Sequence, residues 1–223
     1  MDANIWELIR EERLSLARMV SPLSAEQWTT PSLCAEWTVR EVVAHLDMTP
    51  AGEPGAWPMA VALVRARGRL WQAGSDVARD YARRPTAELV ASLERSAGSR
   101  RKPIFVNDAN ILLDLVVHGQ DVAVPLGIER PVPAAAAVFT LDRIWSMGWP
   151  FHARRRLAGV RLRGGLEGAA AWEAGEGAEV RGTPAALALL MTGRAAAALP
   201  MLHGPGVARL ADRLDVRREP RAG

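Results

Sequence analysis

The stretch Ala109-Asn110-Ile111-Leu112-Leu113-Asp114-Leu115-Val116-Val117-His118-Gly119-Gln120-Asp121 decides how the rest of the sequence is read. Its apolar residues fall on every side of a helix, and a helix that is apolar all round is buried among other elements. Asn107 or Asp108 can cap its start, and Pro125 and Gly127 end it near Val124. Asp114 and His118 are one helical turn apart, so they share a face, with Cβ atoms roughly 6 Å from each other. A carboxylate in such surroundings is costly unless it is paired or bound to a metal. Asp121 continues the same face and is placed to orient His118 from behind.

Working outward, Thr38-Val39-Arg40-Glu41 is a capping-box pattern that opens a helix running to about Met48. Val42, Val43 and Leu46 form its apolar stripe, and His45 lies beside them. Pro50 and the glycines that follow are expected to stop it. Residues 4–20 predict an amphipathic helix with Ile5, Leu8, Ile9 and Leu16 on one face and Glu and Arg on the other. Ser24-Ala25-Glu26-Gln27 is a second capping box, opening a short helix that ends near Trp28, and residues 29–37 read as a loop. Helices are also predicted over 57–83, 86–97 and 134–147, with a basic connector over 98–107. Repeated helices with short connectors argue for an antiparallel bundle.

Beyond His152 the texture changes. Residues 159–164, 169–174 and 176–182 are short, Gly-bounded and alternating, which reads as strands. Thr183-Pro184 then offers an N-cap followed by proline at the first helical position, the helix ends at Gly193, and a last one follows Pro205. The expectation is a mainly α chain: a helical bundle over 1–152 and a small α+β domain over 153–223.

Composition narrows the function. The 223 residues are 49% hydrophobic and 24% charged, which suits a soluble globular protein. No secretory signal is visible and no run approaches the ~20 apolar residues that span a bilayer, so a cytoplasmic protein without a membrane partner is expected. Cys34 is the only cysteine, which rules out an internal disulfide. The net charge is only +3, Lys102 is the only lysine, and the arginines are scattered apart from Arg154–Arg156 and Arg100–Lys102. Nucleic acid is therefore not an expected partner. P-loop, dinucleotide and nucleophile-elbow motifs are absent.

The chemistry rests on His45, Asp114 and His118. Three such ligands leave one coordination position open, which distinguishes catalytic from structural zinc sites. Imidazole and carboxylate also admit nickel, iron or manganese. Spacing alone leaves other readings open: a core histidine satisfied by hydrogen bonds, or Asp114 paired with a buried arginine. Cys34 precedes a helix whose dipole can lower its pKa, but no base for a catalytic thiol is identifiable in the sequence. Thr38 and Glu41 are accounted for as caps, and Trp28 and Trp37 as packing anchors. His152 and His203 lie in connectors.

Trp28, followed by Pro31-Ser32-Leu33-Cys34-Ala35-Glu36-Trp37-Thr38-Val39-Arg40-Glu41-Val42-Val43-Ala44-His45-Leu46, resembles the first signature of the DinB-like, mycothiol-dependent maleylpyruvate isomerase family. Asp114-x-x-x-His118-Gly119-Gln120-Asp121 with Pro125-Leu126-Gly127 resembles the second. The stretch from Arg181 to Arg194, with the preceding Trp172-x-x-Gly175, is similar to the family's C-terminal domain. The resemblance runs in order along nearly the whole chain. It implies a DinB-like four-helix bundle followed by a small α+β domain. It also implies a zinc ion held by a His, a Glu and a His, which map onto His45, Asp114 and His118. Asp114 departs from the pattern, being one methylene shorter than glutamate. The resemblance further implies mycothiol as thiol cosubstrate, a small electrophilic substrate, isomerase or S-transferase chemistry and an actinobacterial host, which the Arg-rich, Lys-poor composition fits. No motif marks the substrate-binding arginine; Arg65, Arg100 and Arg101 are candidates. The alternative is a non-catalytic protein that keeps the bundle to bind a metal or small ligand. Oligomeric state is not legible.

Overall fold

The computed structural model describes residues 4–52, 70–102, 106–165 and 171–214. The first helices are α1 (Ile5–Val20), α2 (Ala25–Thr29), α3 (Val39–Ala51), α4 (Leu70–Tyr81), α5 (Thr86–Ser96) and α6 (Asp108–Ala123). Helix α1 packs on α5 and α6, and α3 packs on the same two, so these four close a bundle. Helix α4 lies against α3, where Val77, Ala78 and Tyr81 meet Ala44 and Met48. The predicted helix over 57–83 is present from Leu70; its earlier part lies outside the described residues.

The caps follow the expected chemistry. Ser24 Oγ accepts from the Gln27 amide at 3.2 Å while the Ser24 amide donates to Gln27 Oε1 at 2.9 Å. At the start of α3 the Thr38 amide and hydroxyl both donate to Glu41 Oε2, at 2.7 and 2.9 Å. Asn107, rather than Asp108, caps α6 by accepting from the Ala109 amide at 2.8 Å. Pro50 does not stop α3; it sits in the last turn, and the helix ends at Gly52, whose φ of 88° only glycine adopts cheaply.

Arg13 departs from the expected pattern. The sequence places the charges of α1 toward solvent, yet Arg13 is 1% exposed. Its Nη1 donates to the Ala97 and Ser99 carbonyls at 3.1 and 2.6 Å. The last carbonyls of α5 turn into the bundle, and a buried helix end requires donors. Nearby, Asp47 of α3 is 0% exposed and accepts from the Tyr81 hydroxyl at 2.7 Å and the Ser96 hydroxyl at 3.2 Å.

By their internal packing, residues 1–129 and 130–223 form separate compact units. The expected boundary near 152 marks where strands begin, not where the cores divide. Helix α7 (Ala134–Ser146), read from sequence as part of the bundle, packs on α9 (Pro184–Met191) of the second unit, burying Ala137, Leu141 and Ile144. After the single-turn α8 (Ala153–Arg156) come β1 (Val160–Gly164), β2 (Trp172–Gly175) and β3 (Ala178–Gly182). The order is β2-β1-β3, with β1 antiparallel to β2 and parallel to β3. Val160 and Leu162 are buried while Arg161 and Arg163 alternate outward, pairing with Glu179 and Glu173. Thr183 caps α9, and α10 (Ala195–Ala198) and α11 (Gly206–Arg213) complete the unit.

Candidate metal centre

From Val42 to Pro50, helix α3 is buried except at His45 and Thr49. From Leu112 to Ala123, helix α6 is buried except at Asp114 and His118. Positions four apart lie on one face, so each of these packed helices keeps one polar, partly accessible line. The lines meet at their histidines: the rings of His45 and His118 are 5.3 Å apart, edge to face.

Each imidazole is held from behind. His118 Nδ1 lies 2.8 Å from Asp121 Oδ2, and the Asp121 side chain is 0% exposed. A buried carboxylate beside Nδ1 makes that nitrogen the donor and leaves the lone pair on Nε2. The orienting role read for Asp121 from sequence is therefore seen as a direct hydrogen bond. His45 packs against Trp37, centroids 5.2 Å apart, and Trp37 Nε1 donates to Ser75 Oγ at 2.9 Å. Burial first, and then the nearby His118, push the His45 pKa from 6.5 down to about 3. His45 is thus neutral at physiological pH and keeps a lone pair.

Among the described residues, one group of three donors has its atoms all within 4.8 Å of one another: Cys34, His118 and Asp121. His45, Asp114 and His118 lie on the accessible lines of α3 and α6, with the two imidazoles edge to face. Cys34 comes from the loop before α3. That loop is closed by the Ser32 amide on the Trp37 carbonyl (2.9 Å) and pinned to α6 by the Leu33 amide on the Asp121 carbonyl (3.1 Å). No base for Cys34 was legible in the sequence because His118 comes from a helix far along the chain, and only that docking brings it near. The donor set of two imidazoles, carboxylates and a thiol fits a borderline divalent cation such as zinc.

The other candidates have contacts or surroundings of their own. Arg101 is exposed and donates to the Ala51 carbonyl at 3.2 Å, finishing α3. Arg100 is exposed over the Trp6 ring. Arg65 lies outside the described residues. Trp28 is buried at 3% exposure as a packing anchor. His203 is exposed, and its backbone pairs with Arg181. Among the described residues, no helix is long and apolar enough to cross a membrane.

A search by sequence among curated proteins finds no match. The crystal structure of a mycothiol-dependent maleylpyruvate isomerase is similar at a TM-score of 0.46 and 16% identity, covering 85% of this chain and 88% of that one. A histidine-to-alanine mutant of such an enzyme gives 0.50 and 16%, covering 90% and 91%. At this identity the second likeness speaks for the fold alone. Residues 9–104 match the family model of the mycothiol maleylpyruvate isomerase N-terminal domain. The match includes Cys34 and His45 and ends before α6. Over those residues, the helical unit of this chain is similar to the mycothiol maleylpyruvate isomerase N-terminal domain.

Proposed function

We propose that this protein is a metal-dependent isomerase or S-transferase that uses mycothiol against a small electrophilic substrate in the cytoplasm. His45, Asp114 and His118 hold the metal, with zinc the expected ion. The observation that carries the reading is the pairing of His45 with His118, on two helices, along the accessible lines of an otherwise closed bundle. When bound there, the ion supplies the Lewis acidity that keeps a coordinated thiol as thiolate near neutral pH.

The chain's own residues prepare that chemistry. Neutral His45 offers a lone pair without first losing a proton. Asp121 fixes the proton of His118 on Nδ1 and turns Nε2 outward. Trp37 covers one side of His45 and limits water there. The reaction class is addition of sulfur to an electrophilic carbon. Elimination after rotation about the new single bond gives an isomer, and retention of the sulfur gives a transferase.

One observation favours a second reading, a non-catalytic metal- or ligand-binding protein: residue 114 is an aspartate, one methylene shorter than the glutamate of the resembled pattern. Elemental analysis of the purified protein, followed by an assay of mycothiol addition to an activated alkene, separates the two. An enzyme contains about one metal per chain by the count of a mononuclear site and accelerates addition, and His118→Ala loses both while its circular dichroism stays helical. Metal without acceleration selects the binding protein. Absence of metal from protein prepared in zinc-supplemented medium rejects the metal centre.

A further inference from the structure

We propose that Cys34 is itself a ligand of the metal at His118, so that the protein carries a thiolate in the position an external thiol must take. The proposal rests on the metal reading above and deepens it. Its basis is the approach of Cys34 to His118 and Asp121, the donor atoms of all three lying within 4.8 Å of one another, with Asp121 kept as the partner of His118 Nδ1. Ligands about 2.0–2.3 Å from a tetrahedral zinc stand about 3.5 Å apart, so ordinary side-chain rotation closes the remaining gap.

The loop is built to keep the sulfur there. The Ser32 hydroxyl accepts from the Cys34 amide and lies 3.1 Å from the Cys34 carbonyl, tying the backbone of the residue itself. The bond from the Leu33 amide to the Asp121 carbonyl places the adjacent residue against the turn of α6 that carries His118. Cys34 is half-buried and forms no disulfide. On binding, the thiol gives its proton to solvent as the sulfur–metal bond forms, with no redox change. A thiolate beside two imidazoles selects zinc over the harder cations that carboxylates prefer. An incoming thiol then exchanges with Cys34 rather than filling an empty position. The loop that holds Cys34 also holds Trp37 against His45, so exchange is coupled to the cover of the site.

Cobalt(II) reports both the ion and the sulfur. Protein loaded with cobalt in thiol-free buffer is expected to show visible d–d bands together with a near-ultraviolet thiolate-to-cobalt band. Cys34→Ser keeps the d–d bands and loses the near-ultraviolet one, and His118→Ala loses both. Cobalt bands in the visible without the near-ultraviolet band in the unmodified protein overturn the Cys34 proposal and leave the metal centre standing. No d–d bands at all reject the metal centre and the proposal with it, and bands that persist in His118→Ala place the ion elsewhere and overturn it too. Should Cys34→Ser fail to fold, alkylation of the unmodified protein by iodoacetamide decides. Zinc slows it at least about tenfold when the thiolate is sequestered, and an unchanged rate overturns the proposal.

Discussion

His45 and Asp47 lie two residues apart on α3, and the bundle treats them in opposite ways. Asp47 faces inward, fully buried, and is met by the hydroxyls of Tyr81 and Ser96. Burial raises its pKa, while hydrogen bonds from Ser92, Tyr81 and Ser96 and the charge of Arg84 pull the other way. His45 faces the accessible line, next to another imidazole, with a neutral ring and a lone pair. One polar residue is satisfied by the fold, and its loss costs stability. On the proposed function the other is left for a ligand, and its loss costs chemistry.

Exchanging the two roles is the hardest test of that contrast. His45→Ala is expected to weaken zinc binding at least about 100-fold, beyond what loss of a supporting partner does. The same change should move the stability of the metal-free protein by less than about 1 kcal/mol, as is usual for a partly accessible site. Asp47→Ala should do the reverse. It strands at least two buried hydroxyls, each worth about 1–3 kcal/mol, so urea denaturation should show a loss of about 3 kcal/mol with metal stoichiometry intact. If Asp47→Ala instead empties the metal at unchanged stability, the division of labour along α3 is wrong.

Asp121→Asn sharpens the comparison, because Asp121 is as buried as Asp47 yet serves the site. The amide keeps the shape but weakens the hold on His118 Nδ1. The expected result is zinc affinity lower by about 10–100-fold, measured by competition with a chromophoric chelator. An affinity unchanged within error would make the contact between Asp121 and His118 a packing feature only.

These roles were unequally legible in the sequence. The bundle could be read because α6 is apolar all round and the capping boxes mark where α2 and α3 begin. His45 and His118 stood out as polar residues on apolar helices, and Asp121 by its spacing from His118. Asp47 and Arg13 did not, because their partners come from α4, α5 and the turn after α5, and helical periodicity reports a residue's own face, not what meets it. Cys34 was hidden for the same reason: one long-range backbone hydrogen bond places its loop. The change of texture near 152 and the division of packing at 129–130 differ because the apolar face of α7 looks the same in sequence whether it packs on the bundle or on α9.

Tyr81→Phe is the smallest and most specific change, removing one hydroxyl from the Asp47 side alone. At neutral pH the lost hydrogen bond is worth about 1–2 kcal/mol, with zinc binding unaffected. Its pH dependence carries the sharper signature. Burial first, and then contact with Asp47, hold the Tyr81 hydroxyl's pKa up at about 12, against an ordinary 10.0. A group whose folded pKa is raised contributes stability that is complete below its unfolded pKa and is lost as pH rises through the folded value. The Tyr81 contribution is therefore present up to about pH 10 and disappears toward pH 12. Arg13, whose guanidinium burial lowers toward about 10, is common to both proteins, so the difference between their stability curves isolates Tyr81. The two curves should run apart at neutral pH and converge across that alkaline window. Curves that stay parallel through it would mean that the hydroxyl is not held by Asp47 in solution, and the closed half of the comparison would fall.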